Sequence, residues 1–113
     1  MIEIALDAGM NLIDGADIYG LEGDGTGFGR AEEILGGVLR DAPHLRERMV
    51  LATKGGIVPP IPYDSSAPHL RSACEASLRR LGVDVIDAWS CAPARSSTRM
   101  RKLGIKYARL HPQ

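Results

Sequence analysis

Ile2, Ala5 and Leu6 recur at i, i+3 and i+4 and are followed by Gly9, the spacing and the stop of a short amphipathic helix. Asn11-Leu12-Ile13-Asp14 then reads as a strand, and the glycine-dense run "GLEGDGTGFG" (20–29) as a loop. Ala31, Ile34, Leu35, Val38 and Leu39 give one apolar face at helical spacing. Met49-Val50-Leu51-Ala52-Thr53 is an almost continuous apolar run closed by Lys54, as expected of a strand covered on both faces. The prolines of "VPPIPYDSS" (58–66) exclude regular structure there. Ser65 or Ser66 is placed to cap a further helix, with Pro68 in its first turn. That helix carries Leu70, Ala73, Cys74, Leu78 and Leu81 on one face and ends at Gly82. Val83, Val85 and Ile86 open a last strand running towards Trp89.

Helices and strands therefore alternate, which predicts an α/β fold with parallel strands joined by right-handed crossovers. The pattern starts on a helix and supplies three strands. Three parallel strands make neither a closed barrel nor an open sheet with protected edges, so the expectation is a slice of a larger sheet whose bare edges favour self-association. The 113 residues agree with this, since a complete eight-stranded barrel takes about 250.

Composition adds one thing. The chain is 44% hydrophobic with 14 basic and 14 acidic residues, so its net charge of zero steers it to neither nucleic acid nor an acidic surface. The distribution is uneven, however. All fourteen acids lie in 1–87, whereas 88–113 holds Arg95, Arg99, Arg101, Lys102, Lys106 and Arg109 and no acid. This predicts two regions: a domain over 1–87 and a basic, solvated or disordered tail over 88–113. With only Tyr107 among its cations and no recognisable module, the tail is not read as nucleic-acid binding. Cys74 and Cys91 form no CxxC, and His44, His69 and His111 are scattered, so neither a zinc site nor a disulfide framework is expected. The opening residues carry no basic segment or long apolar run, which makes the cytoplasm the expected address and a membrane span unexpected.

The chemistry concentrates in "NLIDGADIYG" (11–20). In alternating α/β folds functional groups gather at the C-terminal ends of strands. Asp14 closes the first strand, Tyr19 follows in its loop, and Lys54 closes the second. If those strands are neighbours, the three side chains meet at one rim. A phenol, with a reference pKa of about 10, is a weak acid at neutral pH. A nearby ammonium favours the phenolate, and an aspartate keeps the ammonium charged and in place. Such a trio is suited to giving a proton to a developing alkoxide, as carbonyl reduction requires.

Around these residues, "ALDAGMNLIDGADIYG", "FGRAEEILGGVL", "RERMVLATKGGI" and "SACEASLRRLGVDVID" resemble the aldo-keto reductase family, in the family's order, over roughly residues 2–87. The resemblance implies a partial (β/α)8 TIM barrel whose three strands are the second to fourth of the barrel. It implies an NADP(H)-dependent oxidoreductase acting on a small-molecule aldehyde or ketone, with Asp14, Tyr19 and Lys54 as three members of a catalytic Asp, Tyr, Lys, His tetrad. The fourth member is missing from the pattern: where the family has its histidine, the chain reads "IDAWSCAPARSS", with Ala92 near that position, and the resemblance stops there, so that 88–113 is expected to be a tail unlike the family. The family's grip on the cofactor comes mainly from later strands. The alternative is therefore a non-catalytic remnant, an assembly or interaction protein with no redox turnover of its own.

Other features have plainer readings. Asp17 is expected to shape its loop through an Asx-type hydrogen bond. "GDGTGFG" (23–29) lacks the spacing of GxGxxG and has no GK[ST], and Glu22 and Asp24 would repel phosphate. A flexible rim loop is the expectation. Glu32 and Glu33 suit the positive end of their helix. Cys74 belongs to the core, and His44 and His69 are expected to face solvent.

Overall fold

The computed structural model describes residues 1–57, 66–91 and 108–109. Its elements are α1 (Ile2–Asp7), β1 (Leu12–Asp14), α2 (Arg30–Asp41), a 3-10 helix (Pro43–Arg48), β2 (Val50–Gly55), α3 (Ala67–Leu81), β3 (Val85–Ile86), β4 (Ala88–Cys91) and β5 (Ala108–Arg109). Strands β1, β2 and β4 form one parallel sheet in that order, with Asp14 opposite Ala52 and Lys54 opposite Ser90. The expected parallel α/β arrangement is present. The 58–65 part of the proline-rich stretch, Ala92, and the tail beyond it apart from Ala108–Arg109 lie outside the described residues.

One face of this sheet is covered. Along β2, Leu51, Thr53 and Gly55 are buried while Val50, Ala52 and Lys54 are more exposed, the alternation of a strand with one packed face. The reading of β2 as covered on both faces is corrected accordingly: its second apolar face, with Leu12 and Ala88 beside it, has nothing over it among the described residues. Leu39 from α2, Leu70, Cys74, Leu78 and Leu81 from α3, and Leu51, Ile86 and Trp89 from the strands make the core. α2 and α3 cross closely at Gly36, where a Cβ would collide with the Arg80 carbonyl.

Two predicted elements change shape. α2 is rotated from the face read in the sequence: Glu32, Gly36 and Leu39 are buried and Ile34 is 57% exposed. Gly36 lets the helix turn its narrowest side to α3, which brings Glu32 inward. The last strand is not continuous but splits at Asp87. The Asp87 carboxylate accepts from the Leu51 N–H at 2.8 Å and pairs with Arg46 at 3.0 Å, while its own N–H donates to the Leu51 carbonyl at 2.9 Å. Arg46 also donates to the Val85 and Met49 carbonyls at 2.8 and 3.2 Å. This clamp sends β4 into the main sheet and leaves β3 to pair antiparallel with β5, two residues of the region read as a solvated tail. Residues 88–91 likewise lie in the main sheet, beyond the boundary drawn at 87. The clamp stands at the N-terminal ends of the strands, away from the rim where Asp14 and Lys54 lie.

Candidate active site

The C-terminal rim of β1 and β2 is built by a short turn. Asp14 ends β1, and the chain folds back at once, the Tyr19 N–H donating to the Ala16 carbonyl at 3.2 Å. This turn is fixed to β2 by the Asp17 N–H donating to the Lys54 carbonyl (2.9 Å). It is fixed to the start of α2 by the Gly29 N–H donating to the Asp17 carbonyl (2.6 Å) and the Ala31 N–H to the Tyr19 carbonyl (3.2 Å). The glycine-rich loop between them closes on itself, with the Thr26 hydroxyl and N–H both donating to Asp24, whose pKa falls as a result.

The three side chains singled out in the sequence meet there. Lys54 Nζ donates to Tyr19 Oη at 2.9 Å and lies 3.7 Å from Asp14 Oδ2. The ammonium also stands 4.7 Å from the Tyr19 ring centre, within cation–π range. The Tyr19 hydroxyl foremost, and the Asp14 carboxylate with it, hold the Lys54 pKa above the ordinary lysine value against partial burial, which works the other way. Lys54 is therefore a permanent cation at neutral pH. Tyr19 is 46% exposed, so a small molecule can reach its hydroxyl.

Behind this rim, on the covered face of β2, lies a second set of charges that the sequence did not disclose. Glu32 is 2% exposed. Its Oε1 accepts from the Thr53 hydroxyl at 2.6 Å, and its Oε2 from Arg80 Nε and Nη2 at 2.8 and 2.7 Å. It stands in the first turn of α2, as expected, and is in addition a buried partner of Arg80; Glu33, exposed, pairs with Arg30 at the surface. A signal was present, since Glu32 lies three and seven residues before Leu35 and Leu39 and so falls in phase with them. Asp17, expected to shape its loop through a local hydrogen bond, does so from inside the fold, at 3% exposure. Burial first, and the negative charge of Glu32 next, push its pKa up to about 6, against the pull of Arg80, the Ile18 N–H and His69. Cys74 is core as expected, its thiol pushed up to about 11 chiefly by burial.

Two of the motifs noted in the sequence meet at this rim, those carrying Asp14 with Tyr19 and Lys54. The sequence model of the aldo/keto reductase family matches residues 1–103. The chain belongs to the aldo-keto reductase family. A 6-dehydroglucose reductase from Novosphingobium aromaticivorans is 62% identical over 89 residues, 79% of this chain and 29% of its own length. A protein of the same name from Agrobacterium fabrum is 42% identical over 76% of this chain and 30% of its own. A solved structure from Pseudomonas aeruginosa, named as an aldo-keto reductase, superposes with a TM-score of 0.62 at 37% identity, covering 80% of this chain and 30% of that one. The chain thus spans about 30% of the length of the relatives it matches, and its sheet is a portion of their TIM barrel.

The residues present can be tested against the family's dinucleotide. Lys54 is engaged by Tyr19 and Asp14, Arg30 by Glu33 and Arg80 by Glu32. The glycine-rich loop offers Glu22 and Asp24, which repel phosphate. None of these three cations is free for the phosphates of NADP(H). The described residues form no group of three or more His, Cys, Asp or Glu side chains that can hold a metal, and no helix among them is long and apolar enough to cross a membrane.

Proposed function

We propose that Asp14, Tyr19 and Lys54 are the proton-delivering part of an aldo-keto reductase active site, in an NADP(H)-dependent oxidoreductase that reduces an aldehyde or ketone. Reduction of a carbonyl takes a hydride at carbon and a proton at oxygen, and these residues contribute the proton. The observation that carries the reading is the 2.9 Å contact between Lys54 Nζ and Tyr19 Oη. Because the ammonium donates to the phenol oxygen, the phenol's own hydrogen is left to turn towards a substrate carbonyl. As that hydrogen leaves, the ammonium stabilises the negative charge developing on Tyr19, and Asp14 keeps the ammonium oriented. The hydride is the family cofactor's contribution, and no described residue is assigned to it. The first substrate to try is 6-dehydroglucose, the compound named in two relatives.

A second reading, a non-catalytic remnant or assembly protein, is favoured by the engagement of Lys54, Arg30 and Arg80 by neighbouring side chains, which leaves none of the three for a phosphate. One assay separates the two. The purified chain is mixed with NADPH and 6-dehydroglucose or a simple aldehyde, and loss of the reduced cofactor is followed by absorbance. Turnover that Tyr19→Phe lowers by about 10²–10⁴, the usual contribution of a positioned acid, supports the first reading. No turnover and no NADPH binding supports the second. Turnover unaffected by Tyr19→Phe overturns the assignment of the proton donor.

A further inference from the structure

Gly55, the residue after Lys54, has no room for a side chain. A Cβ there would stand 2.7 Å from the Trp89 ring at Cζ2 and 2.8 Å from Asp17 Oδ2. Asp17 and Trp89 therefore both press on the same point of β2, each 3% exposed. Each also has an unused polar atom: neither Asp17 Oδ1 nor Trp89 Nε1 has a hydrogen-bond partner among the described residues. They are complementary, since a carboxylate only accepts and an indole N–H only donates. The main chain of Asp17 is bonded to the Lys54 carbonyl and to the Gly29 N–H, and two residues later the chain carries Tyr19.

We propose that the buried Asp17 carboxyl is a positioning residue of this rim. Seated at Gly55 where the indole of Trp89 also packs, it sets through its own main chain how the Tyr19 turn lies against Lys54, so that a change of charge at Asp17 is felt at the Tyr19–Lys54 contact. Calling it a positioning residue rests on the function proposed above; the coupling itself does not. The charged groups facing Asp17 are Glu32 from α2 and Arg80 and His69 from α3. From the covered face of the strands come Thr53, Gly55 and Trp89, which carry no charge.

The test uses no turnover. Trp89 is the chain's one tryptophan, so its emission reports the Asp17 seat directly. The lysines are dimethylated with a carbon-13 label, and the Lys54 resonance is assigned by its loss in Lys54→Arg. Between pH 8 and 4.5, Trp89 emission and the Lys54 resonance are expected to titrate with a shared midpoint near 6. Both steps should vanish in Asp17→Asn and persist in His69→Gln. In Glu32→Gln, which removes a neighbouring negative charge, the midpoint should move to lower pH. A step that survives Asp17→Asn, a Trp89 step with a flat Lys54 resonance, or no step in the wild type overturns the proposal. If Asp17→Asn does not fold, an unmoved or raised midpoint in Glu32→Gln overturns it. A chain that shows the shared titration yet consumes no NADPH would sink the proposed activity and leave the coupling standing.

Discussion

Consecutive residues of β2 serve two different kinds of electrostatics. Lys54 points to the uncovered face, where it meets Asp14 at 3.7 Å with side-chain exposures of 27% and 56%. Thr53 points to the covered face, where it joins a Glu32–Arg80 pair at 2.7 Å with the carboxylate side chain 2% exposed. Both are acid–base pairs beside the same strand. Water screens the first, so it orients side chains without contributing much to stability. Water is excluded from the second, so each charge depends on the other for the solvation it has lost. A strand with alternating faces thus keeps an open charged rim and a buried brace within one residue of each other.

The strongest way to break this comparison is Glu32→Ala. It leaves Arg80 without its carboxylate and strips the Thr53 hydroxyl of its acceptor. Removing one partner of a buried pair costs about 3–5 kcal/mol, a large share of the roughly 5–15 kcal/mol of a typical domain. The midpoint of urea unfolding should fall accordingly. Replacing both partners by apolar residues, Glu32→Leu with Arg80→Met, should recover most of the loss. A cost below about 1 kcal/mol for Glu32→Ala would place the buried pair in the same class as the surface one.

How much of this was legible follows the same division. The two long helices announced themselves through apolar periodicity, and α3 has its apolar face where the sequence put it, from Leu70 to Leu81. The meeting of Asp14, Tyr19 and Lys54 at one rim was legible because placement at strand ends follows from chain order, which a sequence displays. Glu32, Arg80 and Asp17 were not. Charged residues are ordinarily solvated; the burial of Glu32 beside Arg80 arises where Gly36 brings α2 against α3, and that of Asp17 where its turn packs on Gly55 and Trp89. The split of the last strand was hidden for a similar reason: Asp87 is bonded to Leu51 and Arg46, partners 36 and 41 positions earlier in the chain. The run Pro43–Arg48 has one apolar anchor, Leu45, 1% exposed, too few to set a period.

A smaller effect sharpens the contrast through pH. Asp17 titrates at about 6 in the fold against 3.8 when unfolded. Between those values the folded state binds more protons than the unfolded one, so this group favours folding as pH falls. Its contribution is complete below the unfolded value and is lost as pH rises through about 6. A shift of roughly two units corresponds to about 3 kcal/mol as an order of magnitude. The wild type should therefore gain on Asp17→Asn by up to that amount between pH 8 and pH 4, measured as the difference of two urea-derived stabilities. A constant difference would mean that the carboxyl is solvated and belongs with the rim charges.

The smallest effect on stability is expected at the rim. Asp14→Asn removes one half of an exposed pair and should change the unfolding free energy by less than about 1 kcal/mol, less still at high salt. Its consequence should appear at Lys54 instead. Asp14 is a secondary support of the raised Lys54 pKa and the Tyr19 hydroxyl the main one. The Lys54 titration, followed by the labelled dimethyl resonance, should therefore move down in Asp14→Asn, and further down in Tyr19→Phe. Equal unfolding losses for Asp14→Asn and Glu32→Ala would erase the distinction between the two faces of β2. An unchanged Lys54 titration in both rim variants would mean that the contacts at 2.9 and 3.7 Å do not persist in solution, and the proton-donor reading would lose its physical basis.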